Sequence, residues 1–460
     1  MPRLLFITGK LAEPSLRRVL DELAPRAGFE YEVAVLPITV VALASTDWIA
    51  RHTQPPTNVE RAILPGLCNG PLDPLRTAWP NVAIERGPKD LRELPEYFGK
   101  SPASREGYGA FDLRILAEIN HAPRLDIETL IAQAQKAKAD GADLIDLGCI
   151  PGSRWANVGD AVRCLRDLGL HLSIDTFDPL EAADACRAGA ELVLSVNRTN
   201  REAARDWGAE VVVVPDDIAT MGGLEETMAY LDAAKVPYRI DPILEPIGFG
   251  FAASLNRYLE ARRRWPQAEI MMGIGNLTEL TEVDSAGVNA MLIGFCQEVG
   301  IRSVLTTEVA NWCRSCVREI DLLRRVMHHA VTQKTIPKSL EPDLVLLRDS
   351  KLREFGDAGL AELAKQIADR NIRVFAERGE IHAMNADMHL RGADPFALFA
   401  AMCERGEFDA SHAFYLGYEM AKAVTALTLG KNYVQDQALN WGFLSVPEES
   451  HRGPASKKDG

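Results

Sequence analysis

Runs of eighteen or more apolar residues are missing from this 460-residue sequence, so no transmembrane helix is expected. An excess of positive charge is missing too: 51 Lys and Arg against 65 Asp and Glu leave a formal net charge of −14. No face is readily basic enough to hold a phosphate backbone. This argues against a nucleic-acid binder but leaves room for a local basic pocket for one small anion. The eight cysteines are scattered and form no disulfide framework. Cys313 and Cys316 make one CxxC in NWCRSCVREI, but a second pair at zinc spacing is lacking, and two small residues on a helix is the plainer reading. The stretch MPRLLFITGKLAEPSL turns polar too early for a signal peptide. Reduced thiols and a cytoplasmic location are therefore expected. The Gly-rich pieces FITGK and PGLCNGPLD match neither a Walker A loop nor a dinucleotide fingerprint.

What is present has the profile of a soluble globular chain, 47% hydrophobic and 25% charged, long enough for several domains. Residues 1–95 alternate short apolar strands with helices, which implies a small open α/β domain of Rossmann or flavodoxin type. Periodicity fades over about residues 94–112, which read as a linker. From Arg114 eight strand candidates recur: RILAEIN, ADLIDLG, HLSIDTF, LVLSVNR, EVVVVPD, YRIDPIL, EIMMGIG and SVLTTEV. Helical segments lie between most of them, and several end on Gly. Eight β-α units over about 220 residues is the arithmetic of a (β/α)8 TIM barrel, placed at residues 112–332; a doubly wound sheet is the competing architecture. A third unit, 341–448, is expected to be α+β. It opens with LVLLRDS and ends with the amphipathic helix SHAFYLGYEMAKAVTALTLG, for which Ser411 is the expected N-cap. Residues 449–460 are expected to be a disordered tail.

The active site of such a barrel lies at the C-terminal ends of its strands. Those ends carry Glu118, Asn120, Asp146, Asp175, Asn197, Asp216, Asp217, Asp241, Asn276, Thr306, Thr307 and Glu308. Each one alone could simply cap the following helix, but the accumulation on one face favours a ligand. A carboxylate accepts two hydrogen bonds from an amino group and an adjacent ring N–H, and Asn both donates and accepts. The ring of residues therefore suits a flat, nitrogen-rich heterocycle such as a pterin. It suits a metal less well, because no His joins the strand ends except His121, and no metal ligand is assigned.

GADLIDLGCIPGSR, followed by LSIDTFDPLEAADACRAGAELV, resembles dihydropteroate synthase and its pterin-binding barrel relatives, as does RIDPILEPIGFGFAASL. The resemblance covers roughly residues 112–310. It implies that Asp175 and Asp241 hold the pterin's amino-pyrimidine edge. Asn197, Asn276 and Asp146 complete the pterin set, with Asp146 deeper. Asn120 lies near the pyrophosphate or metal, and Arg154 is on a mobile loop after the second strand. The Ser-Arg-Lys and Arg-x-His cations of a synthase are replaced by MMGIGNLTEL and VLTTEVANW. GIGNLTEL is closer to the pterin-dependent methyltransferases, with Asn276 near the reactive nitrogen.

The whole chain is similar to dihydropteroate synthase-related proteins of methanogenic archaea and of methylotrophic bacteria that use tetrahydromethanopterin. SHAFYLGYEMAKAVTALTLGKNYVQD resembles a segment of tetrahydromethanopterin S-methyltransferase. The implied activity condenses a 7,8-dihydropterin pyrophosphate with a ribofuranosyl-aminobenzene phosphate. Arg154 and Asn120 are the catalytic candidates, with Mg2+, Arg154 or Arg198 to neutralise the leaving group. The alternatives are a pterin-dependent methyl or one-carbon transferase and a non-catalytic pterin-binding protein. Pterin and arylamine are the expected partners, with no nucleic acid or membrane, and a homodimer is a candidate assembly.

Overall fold

The computed structural model describes residues 1–460 except 11, 39, 55–57, 90, 101–106, 339 and 449–460. The expected disordered tail and the middle of the expected linker lie outside the described residues.

β1 (Arg3–Gly9), β2 (Glu30–Leu36), β3 (Arg61–Leu64) and β4 (Ala83–Arg86) form a parallel sheet of order β2-β1-β3-β4. The run RLLFITG is apolar without alternation because both faces of β1 are covered. Leu5 and Ile7 pack on one side, Leu4 and Phe6 on the other.

The second sheet contains β5 (Arg114–Ile119), β6 (Leu144–Gly148), β7 (Leu172–Asp175), β8 (Leu192–Val196), β9 (Glu210–Val213), β10 (Tyr238–Ile240), β11 (Met271–Gly273) and β12 (Ser303–Thr307). Its order is β10-β9-β8-β7-β6-β5-β12-β11, all pairs parallel. A parallel bridge from Ile240 to Ile270, the residue before β11, joins the two ends. Eight parallel strands closed in this way, with helices between them, are a (β/α)8 barrel.

Strand alternation sorts the side chains. Ile115, Ala117 and Ile119 of β5 face the helices, while Leu116 packs inside with Leu144, Leu192, Leu194, Val212 and Met271. That inner layer fills the N-terminal half of the lumen and leaves the polar residues for the other end. Local signals set the helices: Asp126 accepts from Thr129 N at 2.8 Å to start Ile127–Asp140, and Gly141 ends it at φ 114°. A Cβ on Gly141 would come within 2.7 Å of Asp321, so both conformation and space demand glycine there.

The C-terminal segment contributes a helix, Gly356–Gln366, an antiparallel sheet and two further helices, Pro395–Cys403 and Ala410–Leu429. The sheet is β13 (Arg373–Glu377), β14 (Glu380–Met384) and β15 (His389–Gly392). Arg378 and Gly379, at φ 51° and 82°, turn IRVFAERGEIHAM into a tight hairpin. Two details differ from the sequence expectation. The last helix is capped by Asp409, whose Oδ1 accepts from His412 N at 2.8 Å, and not by Ser411. LVLLRDS forms no regular element; Lys431 Nζ donates to Leu346 O at 2.9 Å and Asp349 N to Gly430 O at 3.1 Å. Two compact units result: residues 1–106 with 352–428, and residues 107–351 with 429–460.

Candidate functional site

β5, β6 and β7 lie side by side, with Glu118 registered opposite Asp146 and Gly148 opposite Asp175. This pairing brings one carboxylate oxygen each of Glu118, Asp146 and Asp175 within 4.8 Å of one another. A side chain at Gly148 would strike Glu118 Oε1 at 2.6 Å, so this glycine leaves the room that Glu118 occupies. Hydroxyl groups hold the other two. Ser173 Oγ donates to Asp146 Oδ1 at 2.6 Å and Ser195 Oγ to Asp175 Oδ1 at 2.7 Å. Asp241, just past β10, accepts from Tyr258 Oη at 2.5 Å and from Ile243 N at 2.8 Å. Among the described residues no Lys, Arg or His forms an ion pair with any of the four.

Burial without cations has the expected electrostatic consequence. Desolvation, with the nearby charges of Asp175 and Glu279, pushes Glu118 up to about 7. Burial raises Asp146 well above the usual carboxylate range and raises Asp175, while the Ser195 hydroxyl opposes the latter shift. Burial takes Asp241 to about 6, against the donors that favour its ionised form.

Among the non-glycine residues with left-handed backbones at this end of the barrel are His121 (φ 52°), Ser195 (φ 70°), Met221 (φ 57°) and Ile243 (φ 68°). Ser195 lies at a register shift in β8, and that irregularity turns its hydroxyl onto Asp175. Ile243 is β-branched, so its conformation is a real strain. It is held by Arg257, whose guanidinium donates to Ile243 O at 2.9 Å and to Glu245 at 2.8 Å. The turn Asp241-Pro242-Ile243 is thus built to present one carboxylate.

Asn120 Oδ1 accepts from Thr307 Oγ1 at 2.8 Å across the β5–β12 seam. Asn276 donates to Leu244 O at 3.1 Å, beside the Asp241 turn. Asn197 spends its side-chain oxygen on Thr199 in a local turn. Asp217 and Glu308 do ordinary capping work, on Ala219 N and Val317 N. Arg154 is exposed and lies 3.8 Å from Asp184. Its loop, expected to be mobile, is pinned next to it by Trp155 N, which donates to buried Glu181 at 2.5 Å. Ser195 and Tyr258 complete the site without any sequence signal. A serine inside a strand and a tyrosine on an amphipathic helix look like ordinary packing.

Three carboxylates without histidine still make a donor set for a hard cation. Oxygens around Mg2+ sit roughly 2 Å from the ion, hence about 3–4 Å apart. The spread of 4.8 Å needs only a small contraction, and buried Asp146 Oδ2 has no other partner. The residues fit a divalent cation.

Known proteins are similar to this chain in several regions. Residues 2–89 match a family of unknown function (DUF6513), and residues 361–436 match the family described as PterinBD-DUF4346. The barrel is similar to dihydropteroate synthase of Yersinia pestis (18% identity, 48% of this chain, 95% of that one, TM-score 0.39). It is also similar to the Xanthomonas albilineans synthase in complex with 7,8-dihydropteroate (21%, 48% and 93%, TM-score 0.37). The uncharacterized protein MJ0107 of Methanocaldococcus jannaschii is 30% identical over 364 residues, covering 71% of this chain and 69% of that protein. The chain belongs to one family with this Methanocaldococcus jannaschii protein, and within it carries a DUF6513 region before the barrel and a PterinBD-DUF4346 region after it.

Proposed function

We propose that this protein binds a reduced pterin at the mouth of the barrel and catalyses a transfer at that ring. The observation that carries the reading is the pair Asp175 and Asp241. Asp241 is buried and Asp175 half-buried, both stand at strand ends, each is held by one hydroxyl, and neither is matched by a cation among the described residues. The amino-pyrimidinone edge of a pterin offers adjacent N–H donors, which such carboxylates accept in pairs. The PterinBD-DUF4346 match supports the same ligand class from another part of the chain.

In the condensing form of the reaction, an arylamine nitrogen attacks the pterin methylene carbon as the bond to pyrophosphate breaks. The tetrahydromethanopterin pathway is the setting that the sequence resemblance favours. A divalent cation on Glu118 and Asp146, with Asp175 left to the pterin, would supply neutralisation of the leaving group. Arg154 and Arg198 are loosely engaged, 3.8 Å from Asp184 and 3.9 Å from Asp216, and can turn toward an anion. Asn120 would orient the side chain of the pterin. A second form, one-carbon transfer at a ring nitrogen, is favoured by the uncompensated acidity of the lumen and by Asn276, anchored beside the Asp241 turn. It releases no pyrophosphate and needs no cations.

The test is calorimetric titration with a reduced pterin, followed by turnover with Mg2+, a dihydropterin pyrophosphate and an arylamine. No pterin binding removes the reading. Binding without pyrophosphate release removes condensation. If condensation occurs, Arg154→Ala is expected to lower turnover more than pterin affinity, because the charge it meets grows in the transition state.

A further inference from the structure

A cavity of about 470 Å³ is walled by the ends of β5 and β12 and by the helices Ile127–Asp140 and Cys316–Gln333. Its volume is within the range of small-molecule sites. It adjoins the outer face of the barrel wall. Ala117 and Ile119, which line it, are the β5 residues that pack toward the helices, while Glu118 between them sends its carboxylate to the opposite side. Ala137 and Val317 make the facing wall apolar.

Two polar features point to a ligand. Thr306 lines the cavity, is fully buried, and its Oγ1 has no hydrogen-bond partner. An unmade hydrogen bond at a buried hydroxyl is unfavourable, so a polar atom placed against it is stabilised. At the rim, Lys136 is already matched by Asp140 at 2.8 Å and Glu308 at 2.6 Å. Arg314 is not matched: its one described bond is a long one, 3.4 Å to the neutral Asn311 Oδ1. A cavity whose lining mixes apolar residues with Asn120, Gln133, Thr307 and Glu308, with one unpartnered buried hydroxyl and one guanidinium at its edge that no described carboxylate matches, suits a ligand that is part apolar and part anionic.

We propose that this cavity binds a small molecule with a flat apolar body and one anionic group, an aryl carboxylate or aryl phosphate, its anion on Arg314 and a polar atom on Thr306. The site is separated from the pterin carboxylates by the thickness of the β5–β12 wall. Glu118 and Asn120 belong to both sides of that wall, so occupancy is felt at the lumen. That coupling rests on the pterin reading above, whereas the binding itself does not.

The test titrates the full-length protein with benzoate and, separately, with phenyl phosphate, by saturation-transfer NMR. Saturable binding of one or both is expected, and which one binds tells carboxylate from phosphate. Arg314→Ala is expected to weaken it at least about tenfold, the scale of one charge-assisted pair. Ala137→Phe, which fills the slot, is expected to abolish it. Asp241→Asn is expected to leave it unchanged, so loss of pterin binding and loss of this site are read separately. Circular dichroism checks the folding of each variant, and Arg314→Ala, on the surface, serves if Ala137→Phe does not fold. Absence of saturable binding of both probes, or binding indifferent to Arg314→Ala, overturns the proposal and leaves a packing void.

Discussion

Asp241 carries the clearest chemistry at the scale of single residues. Burial lifts its carboxyl to about 6, while Tyr258 and Ile243 N pull the other way and the Asp175 charge adds to the rise. A pterin N–H needs the ionised form as acceptor. Pterin affinity is therefore expected to climb as pH rises through about 6 and to level off above 7. Tyr258→Phe removes a donor that favours the carboxylate, so the midpoint of an affinity-against-pH curve moves upward; an unmoved midpoint detaches Asp241 from binding. Asp175→Asn and Asp241→Asn each remove a charge-assisted pair worth about 2–3 kcal/mol, roughly 30- to 150-fold in affinity. Their melting temperatures are expected to change little, because the lost charge was buried without a cation. Calorimetry on both variants checks this, and unchanged affinity in both misplaces the pocket.

At the scale of elements, the barrel depends on how its last helix grips its first strands. Arg324, buried on Cys316–Gln333, donates to Asp321 at 2.7 Å, Asp143 at 2.6 Å, Leu113 O at 2.9 Å and Gly141 O at 3.2 Å. It also lies 3.7 Å from the centre of the Phe111 ring. One guanidinium thus ties the entry to β5, the loop before β6 and the closing helix. Arg324→Ala takes one partner from Asp143, which keeps Ile115 N, and one from Asp321, which keeps Arg318 and Arg325, and is expected to cost about 1.5–3 kcal/mol in urea unfolding. A loss near zero would show that the helix is held by its apolar face alone. The C-terminal hairpin and the Asp409 cap illustrate the opposite case, in which two or three adjacent residues decide an element's limits.

Across the whole molecule the shared acidity of the lumen links stability to pH. The folded protein holds the Glu118 proton up to about 7, whereas in the unfolded chain it leaves near 4.5. Between those limits the folded state binds more protons, so this contribution is fully present at low pH and is lost as pH rises through about 7. Unfolding free energy measured from pH 5 to 8 is expected to fall more steeply in the native protein than in Glu118→Gln, by about 1–3 kcal/mol over the range. A divalent cation bound by the three carboxylates would flatten the native curve. Parallel slopes in protein and variant would mean that Glu118 titrates as an exposed residue.

The linear order of residues by itself determined the parts that depend on near neighbours. Eight apolar strand cores, the turn and cap residues between them, and the Asp and Asn at their ends are local patterns, because strand and helix periods and capping act over a few residues. Which side chains meet at the strand ends was decided only by strand pairing and register. Glu118, Asp146 and Asp175 are spread over three strands, and barrel register alone brings their oxygens within 4.8 Å. The hydroxyls that hold Asp175 and Asp241 come from 20 and 17 residues further along the chain. The raised carboxyl pKa values, the unpartnered Thr306 hydroxyl and the grouping of residues 1–106 with 352–428 have the same origin. Burial and long-range adjacency belong to the packed solid, and no short window of sequence contains them.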